Sequence, residues 1–338
     1  MKKSLAIILA LVMVLSLAAC GGSSSTASSG NSSSSDATQS SGDQEYNISV
    51  ILKTTASEYW GYVVAGAEAY GKDHPNVKVQ VKGATSETAY DEQMNMIETD
   101  MNNADIDGYV IAPLQADMVA NMISGMTKPI VAVDTDIDAP EVLSFVGTGN
   151  ESAGALGGSA AAKLAKERGW SEIKCIEIAG VQGDSTNEAR MAGYAKGIES
   201  EGGTFLYDEV QYANAEANQA VACMEAIMQN HPEGIAVICA NNDDMAMAAA
   251  RAAAGNSAYA NTVFLGFDGI QSACNSILAG EETMSVCQEG YSMGYNSVDA
   301  VIRALQGETL DEFIDAGASV VDPSNAQARL DQLKSYLG

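Results

Sequence analysis

The chain has 338 residues, 46% of them hydrophobic and 18% charged, with 17 Lys+Arg against 44 Asp+Glu and a formal net charge of −27. So acidic a surface repels nucleic acid and anionic lipid headgroups and gives anionic ligands no general attraction. The length beyond residue 45 is enough for two lobes and a sizeable core.

Residues 1–19 read as a signal peptide. Lys2 and Lys3 make a positive start, an apolar run over 5–17 follows, and Ala18-Ala19 is a small-residue end. The apolar run is too short for a comfortable membrane span. Leu17-Ala18-Ala19-Cys20-Gly21 resembles a bacterial lipobox, which implies that Cys20 is lipidated and becomes the mature N-terminus. The alternative is an ordinary secretory signal with an incidental cysteine. Residues 21–44 are almost entirely Ser, Gly, Thr, Ala, Asn, Gln and Asp. Little there can be buried to offset ordering entropy, so 20–45 is predicted to be a lipidated cysteine with a flexible tether.

From residue 46 strands and helices alternate. Strands are predicted over 48–52, 77–81, 108–112, 130–133 and 143–146, with helices over 58–72 and 90–103. After Gly147-Thr148-Gly149 the series starts afresh with a long Ala/Gly-rich helix. Strands over 173–178, 205–207, 235–240, 263–267 and 283–287 follow, with helices over 187–201 and 217–229. Asn242-Asp243-Asp244 supplies cap chemistry for a Met/Ala-rich helix behind the 235–240 strand. Alternation of this kind implies parallel βαβ units, and two series imply two doubly wound parallel-sheet lobes.

Polar residues gather at the carboxyl ends of these strands, the edge where open α/β sheets bind ligands. They are Ser57-Glu58-Tyr59-Trp60, Asp134-Thr135, Asp184 to Thr186 with Arg190 beyond, Asn242-Asp243, Asp268-Gly269 and Gln288. Taken singly, each reads as a cap, a turn or core. Together they suit a polyhydroxylated ligand. Asp134, Asp268, Asn242 and Gln288 can bond vicinal hydroxyls, and Arg190 offers a planar donor fork. Tyr59 and Trp60 offer flat faces to the C–H side of a sugar ring.

Asn241-Asn242-Asp243-Asp244-Met245-Ala246, Gly266-Phe267-Asp268-Gly269, Val133-Asp134, Glu188-Ala189-Arg190 and Tyr59-Trp60 together carry a resemblance. The chain is similar to sugar-binding lipoproteins of ABC transporters, of the ribose/galactose type of periplasmic binding protein. The resemblance implies the type I two-lobed fold, with lobes of 46–149 plus about 289–316 and 150–288 plus about 317–338 joined by a multi-crossing hinge. It also implies a monosaccharide ligand bonded by Asn242, Asp268, Arg190 and Asp134, with Tyr59 and Trp60 sandwiching the ring. It places Gln288 at a further polar contact, and Asp184 and Thr186 where galactose-type relatives carry polar ligands. It also implies ABC permease subunits as partners, a monomer held to the outer face of the cell membrane through the lipid anchor, and no cofactor. Asp134-Thr135 stands where ribose binders usually carry Asp-Arg, and Ser57-Glu58 where they carry Asn and Pro. Ala112-Pro113-Leu114-Gln115 likewise lacks an Asn found in well-known relatives. These departures count against ribose and leave the sugar class standing.

Catalytic motifs are missing. His74 and His231 each precede proline and read as turn punctuation. Gly147-Thr148-Gly149-Asn150-Glu151-Ser152 has serine at the third glycine of a dinucleotide fingerprint. Asp134-Thr135-Asp136-Ile137-Asp138 has Ala139 at the turn glycine of a calcium loop and Phe145 at its closing carboxylate. Cys175, Cys223, Cys239, Cys274 and Cys287 read as buried free thiols, with a bridge or metal site as the alternative. A sugar-sensing receptor that docks on a sensor kinase or chemoreceptor is the alternative to transport. A LacI-type regulator shares the two-lobe plan but needs a basic helix-turn-helix, where this chain has a tether without Lys or Arg.

Overall fold

The computed structural model describes residues 44–337; the predicted signal peptide, Cys20 and nearly all of the tether lie outside them. In chain order β1 (Tyr46–Thr54), α1 (Glu58–Asp73), β2 (Val77–Ala84), α2 (Tyr90–Met101), β3 (Gly108–Ile111), α3 (Ala116–Ile123), β4 (Ile130–Val133) and β5 (Val142–Gly147) form a first series. A second series is α4 (Asn150–Glu167), β6 (Lys174–Ala179), α5 (Ser185–Ser200), β7 (Thr204–Phe205), β8 (Gln211–Tyr212), α6 (Ala217–Asn230), β9 (Val237–Ala240), α7 (Asp243–Ala252), β10 (Val263–Asp268), α8 (Gln271–Ala279) and β11 (Met284–Gln288). The chain ends with α9 (Gly290–Leu305), β12 (Phe313–Asp315), β13 (Ala318–Val321) and α10 (Ala326–Leu337).

The strands form two sheets, ordered β12-β5-β4-β3-β1-β2 and β13-β11-β10-β9-β6-β7, with β8 also on β6. Each repeats one plan: the first strand of the series lies inside the second, and the chain then winds outward the other way. The reversal falls between β1 and β3 in one sheet and between β6 and β9 in the other. It leaves a crevice at the carboxyl edge of each sheet. This is an α/β fold of two doubly wound parallel-sheet lobes. Among the described strands only β13 runs antiparallel, against β11.

The interior strands are apolar because both their faces are covered. β3, β4 and β9 are buried at every position, and Val131, Val133 and Val237 are fully enclosed. Each such side chain contributes about 1.5–3 kcal/mol through burial. At the edge, β2 exposes Lys78 and Gln80 while burying Val77.

Two sequence expectations are corrected here. The strand predicted over 205–207 stops at Phe205, and Tyr207 opens a short 3-10 turn with its ring 56% exposed. The 235–240 strand begins only at Val237. Neither β12 nor β13 belongs to the predicted alternation. β12 pairs with β5 in the first sheet and β13 with β11 in the second, so the chain passes between sheets at residues 316–317. Of the five thiols, Cys223 is half-buried and the others are buried; Cys175 Sγ lies 3.3 Å from Cys239 Sγ as a free thiol.

Candidate functional site

The two carboxyl edges face each other across a narrow cavity with a free volume of about 40 Å³. Lys53 comes to it from β1, Tyr59 and Trp60 from the first turn of α1, and Glu87 from the loop after β2. Asp134 follows β4. The second lobe contributes Asp184, Thr186, Asn187 and Arg190 around the start of α5, Asn241 and Asn242 after β9, and Asp268 at the end of β10.

Two of these residues have strained backbones. Asp134 has φ 63° and Asp268 has φ 116°. Around Asp134 the amide of Thr135 donates to the carbonyl of Val133 at 2.6 Å, closing a tight γ-turn, while its own amide stays on Val146. Such conformations cost about 1–3 kcal/mol each and collect at functional sites. One lies in each lobe, and both turn a carboxylate to the same cavity.

The carboxylates sit in a shared network. Asp134 accepts from Tyr59 Oη at 2.7 Å and from Thr135 Oγ1 at 3.0 Å, and Thr135 Oγ1 lies 3.0 Å from Thr186 Oγ1 of the other lobe. Arg190 donates through Nε to Asn150 Oδ1 at 2.9 Å and through Nη1 to the Asn241 carbonyl at 2.8 Å. Its guanidinium lies 3.9 Å from the centre of the Phe267 ring and 3.9 Å from Asp268 Oδ1. Glycines place this arginine: α4 meets α5 backbone to backbone, and a Cβ at Gly154 would come within 2.6 Å of the Arg190 carbonyl oxygen.

The cavity wall holds Tyr59, Trp60, Asp134, Asp184, Thr186, Arg190, Asn242 and Asp268 together. Gln288 is not on it. It stands behind Asp268, donating to Oδ1 at 2.7 Å, and orients that carboxylate. Asn242 is committed to local structure, for its Oδ1 caps α7 by accepting from the Met245 amide and its Nδ2 donates to Ala215 O at 3.3 Å. Tyr59 and Trp60 do not form parallel plates on either side of a ring. Their rings meet edge to face at 5.2 Å and 70°, and form one wall.

Sequence reasoning passed over Lys53, Glu87, Asn187 and Asn241. Lys53 had a signal, being a charge in a strand otherwise enclosed on both faces; Glu87 had none, since a polar residue in a Ser-Thr loop is ordinary. Asn187 Oδ1 accepts from the Gly180 amide at 2.6 Å. The Nδ2 atom of Asn187 is buried at this wall without a partner among the described residues.

Burial alone would lower the Lys53 ammonium, but the carboxylates of Asp184, Glu87 and Asp134 outweigh it and hold this lysine above its usual range. Burial would raise Asp184, and Lys53 reverses that, leaving it lowered. Asp268 is pushed well up by burial, with Asp243 and Asp134 adding to the effect and Arg190 opposing it. Glu87 is raised by burial against the pull of Lys53 and the Trp60 N–H.

Facing sheet edges that enclose paired carboxylates, amides and a stacked arginine define a two-lobed receptor for a small polar solute. Comparison with known proteins places it further. Residues 48–309 match the family model described as a periplasmic binding protein domain, and the chain belongs to that family. The D-allose-binding periplasmic protein of Escherichia coli K12 is 29% identical over 279 residues, covering 79% of this chain and 86% of that one. The ribose import binding protein RbsB of Bacillus subtilis 168 is 24% identical over 94% of this chain and 97% of its own. Among solved structures, a carbohydrate transporter solute binding protein from Agrobacterium radiobacter, in complex with D-arabinose, superposes with a TM-score of 0.77 at 25% identity. It covers 87% of this chain and 99% of that one. This is a family of binding proteins for transport and not of enzymes.

Proposed function

We propose that the protein is an extracytoplasmic lipoprotein that captures a monosaccharide, a pentose or a hexose, between its lobes and delivers it to the permease of an ABC importer. The observation that carries this is the pair of strained aspartates, Asp134 and Asp268, aimed from opposite lobes into one cavity. Carboxylates so placed accept hydrogen bonds from ligand hydroxyls, and Arg190 donates to ligand oxygens. A ligand touching both lobes bonds fully only when they meet, so its differential affinity favours the closed state.

The first lobe in this reading is 46–149 plus about 289–316 and the second 150–288 plus about 317–338, with the chain crossings as the hinge. Residues 1–19 are the signal peptide, Cys20 carries the lipid, and 20–45 tether a monomer to the outer face of the membrane. Direct ligand contacts are assigned to Tyr59, Trp60, Asp134, Asp184, Thr186, Arg190 and Asp268, with Asn242 holding the start of α7 and Gln288 supporting Asp268. The sensing alternative has less behind it, because the Bacillus relative is named for import. A calorimetric panel of pentoses and hexoses tests the reading. Micromolar or tighter binding of at least one, weakened tenfold or more in Asp268→Ala, is expected. A panel with no binder overturns it.

A further inference from the structure

The charges on the cavity wall do not balance. Glu87, Asp134, Asp184, Asp244 and Asp268 face it with Lys53 and Arg190, five carboxylates against two cations. Asp244 stands in the first turn of α7, where the helix N-terminus offsets part of its charge. Asp184 is paired with Lys53, and Asp268 lies 3.9 Å from Arg190. The partners of the other two are neutral: Tyr59 and Thr135 on Asp134, and the indole of Trp60 on Glu87. Asp134 is 4% exposed, so solvent does little for it.

A neutral sugar hydroxyl can donate to such a carboxylate but leaves its charge in place. Buried charge without a counter-charge is expensive, and like charges in one dry site repel. Either protons or a cation must complete the site. On this basis, and resting on the sugar-receptor reading above, we infer that the ligand is a cationic polyol: a sugar or cyclitol carrying a protonated amine.

The wall that would take the ammonium is the first-lobe one. Asp134 and Glu87 are joined there through Tyr59 and Trp60, each bonded to one carboxylate and packed edge to face on the other ring. An ammonium in this part of the cavity has three N–H donors to offer the two carboxylates. Among the described residues no three carboxylates gather as metal ligands would, which suits an organic cation over a metal ion. On the opposite wall the partnerless Nδ2 atom of Asn187 remains as a donor for ligand hydroxyl oxygens. Lys53 belongs to the balance as well. Its ammonium bonds Asp184 directly and attracts Glu87 and Asp134 without a direct bond, so one cation is shared among three carboxylates.

The test is calorimetry at pH 7 on the whole mature protein with matched sets: D-glucose, D-glucosamine and N-acetyl-D-glucosamine; the galactose set; and myo-inositol with its monoamine. The amine of at least one set should bind ten times or more tighter than both its neutral members. In Glu87→Gln, with folding checked by its melting curve, that ratio should collapse toward one. Equal or tighter binding of the neutral members overturns the inference and leaves the sugar-receptor reading intact, protons then balancing the site. No binding by any member overturns both.

Discussion

Lys53 Nζ lies 2.5 Å from Asp184 Oδ2, and this pair joins the two lobes across the cavity, with its side chains only 5% and 10% exposed. One partner comes from the end of β1 and the other caps α5. Thr135 with Thr186, and Glu58 with the first amides of α8, make further cross-lobe contacts.

Removing one partner of a buried pair leaves an uncompensated charge and costs about 3–5 kcal/mol. Lys53→Met should therefore shift the lobes toward an open arrangement, with a larger radius of gyration by solution scattering and weaker sugar binding. Lys53→Met combined with Asp184→Asn should recover part of both. An unchanged radius and affinity in the single variant would show that the pair does not hold the lobes together.

The strained aspartates and the capping asparagine should respond differently to substitution. Asp134→Asn keeps a side chain that tolerates positive φ, so it should fold normally while losing affinity about ten- to hundredfold, as expected for a charge-assisted bond worth about 1.5–3 kcal/mol. Asp134→Ala should lose affinity and melting temperature together. Asn242→Ala removes the α7 cap and should cost about 0.5–2 kcal/mol of stability. Chemical denaturation beside calorimetry separates these effects, and Asn242→Ala with full stability and lost binding would contradict the capping role.

Acidity should matter through Glu177. It is fully buried on β6, and burial pushes it up to about 8 against the pull of the Asn241 amide. The folded state thus binds this proton more tightly than the unfolded chain does. Between the ordinary glutamate range and about pH 8 the unfolded state carries fewer protons, so stability falls as pH rises. Asp243, pushed up to about 7 by burial, acts in the same direction. The melting temperature should decline from pH 5 to 8, and Glu177→Gln should flatten that decline. A wild-type stability that rises over the same interval would be incompatible with a protonated Glu177.

Cys20 is expected to be the lipid attachment site. In the full chain expressed with its leader, Cys20→Ser should move the protein from the detergent phase to the aqueous phase in a phase-partition assay. Retention in the detergent phase would rule out anchoring through this residue.

Much of this protein was legible in its sequence because the signals are local. Short apolar runs such as Ile130–Val133 read as interior strands, and Asn242 announces the helix it caps. Strand ends reading Asp134, Asn242 and Asp268 mark the binding edge before any packing is known. The short β12 and β13 were not legible, since Phe313-Ile314-Asp315 has no strand pattern of its own and becomes a strand only by meeting β5. The division of labour inside the site was also decided by tertiary structure. Whether an asparagine caps or binds, whether Gln288 lines the cavity or stands behind Asp268, and which cation Asp184 keeps depend on partners far away in the chain. Lys53 and Asp184 are 131 residues apart. A helix or strand is specified by neighbours within a few residues, whereas a partner across a cleft is fixed only once two separately wound sheets are brought edge to edge. That is why the sequence by itself determined the lobes and the edge, and only the meeting of the lobes decided the charges that face the cavity.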